Sequence, residues 1–141
     1  MTIKQISVFL ENKSGRLAEV LNILGREKIT VHALSIADTS DYGILRLVTG
    51  DDEKTLKVLT DKDFTAKLTD VIGIVSSNEA GSLSNFLQTL ADDAISVEYM
   101  YGFGIGNTAA IILKPENMEI ALDILRSYNF KLISNKELAN L

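Results

Sequence analysis

The 141-residue sequence has no cysteine, no tryptophan, one histidine and one proline. Without cysteine there is no disulfide, no thiolate ligand and no thiol nucleophile. One histidine and no cysteine leave no zinc-type ligand set. Oxygen-only Mg or Ca sites lack any supporting motif, so neither a metal nor a cofactor is expected. No apolar run reaches the roughly 18 residues of a membrane-spanning helix. The stretch Thr2-Ile3-Lys4-Gln5-Ile6 enters a strand-like pattern directly and lacks the apolar core of a signal peptide. The expected compartment is the cytoplasm. Basic residues are in deficit, 14 against 19 acidic ones, for a net charge of −5. That weighs against nucleic acid, whose affinity rests on phosphate neutralisation, and against anionic membrane surfaces. Neither is expected as a partner.

What is present is the same unit twice. An offset of 66 residues carries Gly15 onto Gly81, Leu17 onto Leu83, Leu21 onto Leu87 and Leu24 onto Leu90. The match runs on without a gap through Ile29/Ile95, Val31/Val97, Leu47/Leu113, Leu59/Leu125 and Phe64/Phe130. Asn12 lands on Asn78. Each copy is longer than a solenoid repeat and has the size of a small domain. The expected domains are residues 1–69 and 70–141. Units this small are marginal alone and gain from a shared interface.

Within one copy, 3–10 reads as a strand, and Leu17, Val20, Leu21 and Leu24 follow at helical spacing from Gly15. Ile29–Ala37 and Gly43–Thr49 read as a hairpin. Gly50-Asp51-Asp52 opens a second helix with Leu56 and Leu59 inward, and Phe64–Leu68 is a last short strand. Copy two repeats this as strand 71–76, helix 81–93, hairpin 95–104 and 108–114, helix 116–127 and strand 130–134. Pro115 is expected in the first turn of that helix. The tail Asn135–Leu141 reads as a helical extension or a frayed end. The order β-α-β-β-α-β is the ferredoxin-like split βαβ. The expected fold class is α+β: two ferredoxin-like units, their sheets joined side by side with about eight strands in all, helices on one face and the other face open.

Little in this pattern supports catalysis. His32 is matched by Glu98 and reads as a surface residue. Asp51-Asp52 suits a helix start, where acids meet the positive dipole end. Asp92-Asp93 reads as a solvated surface pair. Gly102-Phe103-Gly104-Ile105-Gly106 lies in a hairpin and fails the dinucleotide spacing. Tyr101-Gly102-Phe103-Gly104 lacks the basic residue and second aromatic of an RNA-recognition core. It reads instead as a glycine-relaxed hairpin end that lets strands or a ligand approach closely.

The remaining candidates are two loops, Glu11-Asn12-Lys13-Ser14-Gly15-Arg16-Leu17 and Ser77-Asn78-Glu79-Ala80-Gly81-Ser82-Leu83. A glycine at a helix start permits a sharp turn that presents free N–H groups. Helix N-termini attract carboxylates, and an Asn side chain both donates and accepts. Plain turn chemistry explains the same residues equally well.

Asn12-Lys13-Ser14-Gly15-Arg16-Leu17 and its looser copy Asn78-Glu79-Ala80-Gly81-Ser82-Leu83 resemble the N-x-x-G-x-L signature of the ACT domain, a βαββαβ unit that typically binds free amino acids. The resemblance covers nearly the whole chain. Ser14 and Ala80 stand where many members carry proline. By this resemblance two units share one sheet, and the effector lies between the first loop of one and the second strand of its neighbour. The serine-regulated phosphoglycerate dehydrogenases imply contacts from the loop Asn and from a polar residue at the start of strand two. Those positions are Asn12 and Asn78, with Thr30 and Ser96. The implied ligand residues are thus Glu11, Asn12, Lys13, Ser14, Gly15, Arg16, Leu17 and Thr30 from copy one. From copy two they are Asn78, Gly81, Ser82, Leu83, Ser96, Val97, Glu98 and Tyr99. No kinase or dehydrogenase domain is expected, and the resemblance implies a stand-alone amino-acid sensor that is not an enzyme.

Tyr99, Tyr101 and Phe103 with Asp38 and Asp41 make a polar aromatic or cationic amino acid, such as histidine, compatible; phenylalanine and lysine are not ranked against it. Lys13 and Arg16 against Glu79 and Ser82 lead to the expectation that the first loop is preferred. The competing reading is a module that binds no ligand, forms a homodimer and docks a metabolic enzyme.

Overall fold

A computed structural model describes residues 2–11, 13–38 and 41–141, apart from the side chains of Asp38 and Ile105. The elements are β1 (Ile3–Glu11), α1 (Arg16–Arg26), β2 (Val31–Asp38), β3 (Tyr42–Thr49), α2 (Asp52–Asp61), β4 (Thr65–Ser77), α3 (Ser82–Asp92), β5 (Val97–Ile105), β6 (Thr108–Pro115), α4 (Met118–Ser127), β7 (Lys131–Ile133) and α5 (Asn135–Ala139). The contacts divide the chain into two compact units, Lys4–Thr69 and Met1–Ile3 with Asp70–Leu141. The α+β class and the repeated βαββαβ order are as expected, with seven strands. The predicted strands at 64–68 and 71–76 are one continuous strand, β4. Thr69-Asp70 contains neither glycine nor proline, so nothing there breaks extended backbone.

In the first unit the strand order is β2-β3-β1-β4. β1 runs antiparallel to β3 with Ile6 opposite Leu47 and Val8 opposite Leu45. These four side chains share one face, because alternate strand residues point the same way. Val20, Ile23 and Leu24 of α1 and Leu59 of α2 close the core against them. On the opposite face of β1, Gln5 and Ser7 are buried. Gln5 Nε2 donates to Ser7 Oγ at 3.2 Å, which makes their burial tolerable.

In the second unit β6 lies between β4 and β5, and β7 pairs with the other edge of β4. Ile72, Ile74, Ile111 and Leu113 face Phe86, Leu90, Ala121 and Leu125 of α3 and α4. Pro115 does not start α4. It ends β6 opposite Val97, and Asn117 caps the helix by accepting from the Ile120 N–H at 3.0 Å. The tail is helical: Ser134 Oγ accepts from Glu137 N–H at 3.2 Å, and Leu138 is buried.

The four long helices share one C-terminal device. Lys28, Asp63, Ala94 and Asn129 all have positive φ. The next residue, always apolar, donates its N–H back into the last turn: Ile29 to Leu24, Phe64 to Leu59, Ile95 to Leu90 and Phe130 to Leu125, at 2.9–3.1 Å. This is the Schellman turn, which couples a helix end to an apolar contact. None of the four carries the glycine that suits such a backbone best. Ala94, at φ 57°, has no polar side chain to offset the strain. Ala94→Gly is expected to raise stability by about 1 kcal/mol, the left-handed penalty less the entropy glycine adds to the unfolded chain. Urea unfolding with an unchanged slope and a higher midpoint is the check.

Candidate functional site

The two loops fold alike for a reason visible in their glycines. Gly15 and Gly81 are the N-cap residues of α1 and α3, at φ 87° and 89°, and neither helix has a side-chain cap. A Cβ at either position would force a left-handed backbone onto a side chain that resists it. Arg16 N–H closes the turn on Lys13 C=O at 3.3 Å, and Ser82 N–H does so on Glu79 C=O at 3.2 Å. The intrahelical ladder begins with Glu19 to Gly15 and Asn85 to Gly81, both 2.9 Å. First-turn N–H groups, those of Leu17, Ala18, Leu83 and Ser84 here, lie ahead of that ladder at the helix mouth.

A hollow lies beside each of these loops, inside its own unit. In the first it measures about 90 Å³ and is lined by Leu10, Glu11, Lys13, Arg16, Leu17, Ile36 and Gly43. In the second it measures about 230 Å³. Six of the seven residues of the first have their repeat partners in the second: Ser76, Ser77, Glu79, Leu83, Gly102 and Ala109. The second also takes in Asn78, Met100, Phe103, Gly104 and Ile111. The fold therefore builds one cleft twice, between the β-strand–helix loop and the hairpin strand that follows the helix.

Their electrostatics differ. In the first cleft the charges are already engaged. Lys13 Nζ sits 2.8 Å from Glu11 Oε2; its hydrogen bond, and then its charge, hold the Glu11 carboxyl below the ordinary glutamate range. Arg16 pairs with Glu19 at 2.9 Å, and its guanidinium stacks 4.5 Å over the Phe64 ring. In the second cleft Glu79 is the one charged lining residue among those described. Asn78 Nδ2 donates to Gly106 C=O at 3.3 Å, and its backbone N–H donates to Asn107 C=O at 3.0 Å. A Cβ on Gly104 would fall 2.6 Å from Asn78 Nδ2. A side chain at position 104 would have to move the Asn78 carboxamide aside.

Of the residues expected at the site, Glu11, Lys13, Arg16 and Leu17 line the first cleft, and Asn78 and Leu83 the second. Ser14, Gly15, Gly81 and Ser82 shape the turns without lining either. Asn12 lies outside the described residues. Thr30 is exposed and its C=O accepts from Gly50 N–H at 2.9 Å; Ser96 C=O does the same for Glu116 N–H at 2.9 Å. Val97 pairs with Pro115 and Tyr99 with Lys114, and Glu98 lies 3.6 Å from Lys114 Nζ. These positions are at the start of β5, and the second cleft uses the later part, Met100 to Gly104. The glycine cluster 102–106 was the available signal for that wall. Among the described residues no group of three potential metal ligands occurs, and no helix is long and apolar enough to cross a membrane.

The family model of the ACT domain pair matches residues 1–141. The chain belongs to the ACT domain pair family. This ACT domain pair is similar to a Bacteroides thetaiotaomicron protein of known crystal structure, at 40% identity and a TM-score of 0.95, over 100% of this chain and 98% of that one. It also shares its fold with the ligand-free regulatory subunit of aspartate kinase from Thermus thermophilus, at 18% identity and a TM-score of 0.63, over 88% of this chain and 91% of that one. The corresponding Thermus flavus subunit gives the same identity and score, over 88% and 90%. No curated protein sequence matches the chain. The ACT domain pair is a regulatory module.

Proposed function

We propose that this ACT domain pair binds a free amino acid and through it regulates an enzyme of amino-acid metabolism, without catalysing a reaction itself. The observation that carries this reading is the cleft built twice at the same loop, with a helix N-terminus at its mouth. First-turn N–H groups there suit a carboxylate. In the second cleft Glu79 suits an ammonium or another cationic group. Met100, Leu83 and Phe103 offer an apolar and aromatic wall. A cleft of about 230 Å³ has room for a small molecule. A polar aromatic or cationic amino acid such as histidine fits this lining: Phe103 can face a cation and Glu79 can pair with it. A thermal-shift screen of the twenty amino acids tests the reading. One that binds, at a hundredfold excess over Kd, adds about 2.7 kcal/mol. Twenty flat responses refute it. Asn78→Ala is expected to weaken that binding by about 1–3 kcal/mol while leaving the melting temperature of the free protein nearly unchanged, because Asn78 is exposed.

A second reading is favoured by Leu34 and Ile36, 48% and 40% exposed on the edge strand β2. Exposed apolar edges attract further chains. On this reading the pair forms a homodimer or docks a partner enzyme with no ligand at all. A concentration-dependent mass in sedimentation, together with a flat thermal screen, would favour it.

A further inference from the structure

We propose that the two clefts have diverged in function, so that each chain binds one amino acid, in the cleft of the second repeat. This rests on the amino-acid reading above and adds which copy binds and which residues decide it. Three repeat pairs set the difference. Leu10 becomes Ser76, Ile36 becomes Gly102, and Arg16 becomes Ser82. Each step replaces a long side chain by a small one or none, and the hollow grows from about 90 to 230 Å³. The first cleft therefore offers less room for a ligand side chain than the second.

The first cleft is also lined by an anchored cation. Arg16 pairs with Glu19 and stacks over the Phe64 ring. Its Nε is enclosed without a hydrogen-bond partner among the described residues. In the second repeat the counterpart of Phe64 is Phe130, which packs edge-on to Phe86 at 5.2 Å, and the counterpart of Arg16 is Ser82. The open floor there is fixed by the backbone. A Cβ on Gly102 would fall 2.6 Å from the carbonyl oxygen of Ala110, so β5 and β6 approach closely only because that side chain is missing. Charge alone pointed to the first loop, through Lys13 and Arg16. Both cations already have a carboxylate partner, so a ligand carboxylate gains less from them than their charge alone suggests.

The test is the amide NMR spectrum of the full chain with and without a mixture of the twenty amino acids. The proposal predicts shifts at Ser77–Leu83 and at Gly102–Gly104, and none at Lys13–Leu17. Gly102 itself is a poor target, because its replacement strains β5. Ser76→Leu is the safer variant: it copies Leu10 into the open cleft, and the unperturbed dispersion of its spectrum verifies folding. It is expected to weaken the response at least tenfold. The double variant Arg16→Ser, Ile36→Gly is expected to add a second set of shifts at Lys13–Leu17. Shifts at both loops of the unmodified chain, or at the first loop alone, overturn the proposal, as does an undiminished response in Ser76→Leu. Complete silence overturns the amino-acid reading on which it stands.

Discussion

Replacing Phe86 with alanine is expected to remove about 3–5 kcal/mol of stability, the usual cost of deleting a fully buried aromatic. Phe86 is 0% exposed. It lies on α3 where it meets Ile72, Ile74 and Ile111 of the sheet and Leu125 of α4 within one core. Its ring also packs edge-on to Phe130, at 5.2 Å and 79° between planes, a contact worth about 0.5–1.5 kcal/mol beyond the area it buries. The repeat partner of Phe86 is Val20, so the second core is organised around a ring that the first lacks. A unit of this size has little stability to spare. Urea unfolding followed by circular dichroism should show the midpoint falling steeply. Tyr128→Ala, at a side chain 57% exposed, should change it by less than about 0.5 kcal/mol. Equal losses in the two variants would show that the second core is not built as described.

Gly73→Val is expected to destabilise by about 1–3 kcal/mol, through overpacking and not through a cavity. Gly73 is buried at the middle of β4, opposite Ile112 on one side and Ile133 on the other. The place of its missing Cβ is taken by Cδ1 of Ile3, and Cγ1 of Ile133 lies 3.0 Å away. A valine must push Ile3 aside and widen the β4–β7 pairing. The compensating variant is Ile3→Ala in the same chain. Alone it costs packing; combined with Gly73→Val it should recover part of the loss, since the two sites share one volume. Strict additivity of the two changes in denaturant unfolding would contradict the contact.

Most of the fold was legible because its signals are local and occur twice. The spacing of Leu17, Val20, Leu21 and Leu24 marks a helical face without reference to anything distant. Gly15 and Gly81 mark the two helix starts because a left-handed N-cap demands glycine. The errors fall where two local signals compete. Pro115 suits a helix start and equally the end of a strand, and the cap offered by Asn117 decides between them. The polar pair Thr69-Asp70 is where the chain passes from one compact unit to the other, yet it carries nothing that stops extended backbone, so a single strand runs through it. The cleft was half legible. Its loops announce themselves, but its hairpin wall is set by contacts remote in sequence. Ala110 C=O approaching Gly102, Asn78 lying against Gly104 and Arg16 stacking on Phe64 all join residues that no periodicity connects. On the proposal above, those same contacts favour the second loop, where charge alone suggested the first.

Equilibrium dialysis of the full chain against a mixture of the twenty amino acids, with amino-acid analysis of what is retained, tests the central claim most directly. The account predicts that one amino acid is enriched, at one mole per mole of chain, and that Ser76→Leu loses it. No enrichment, or two moles per mole with Ser76→Leu unaffected, would contradict it.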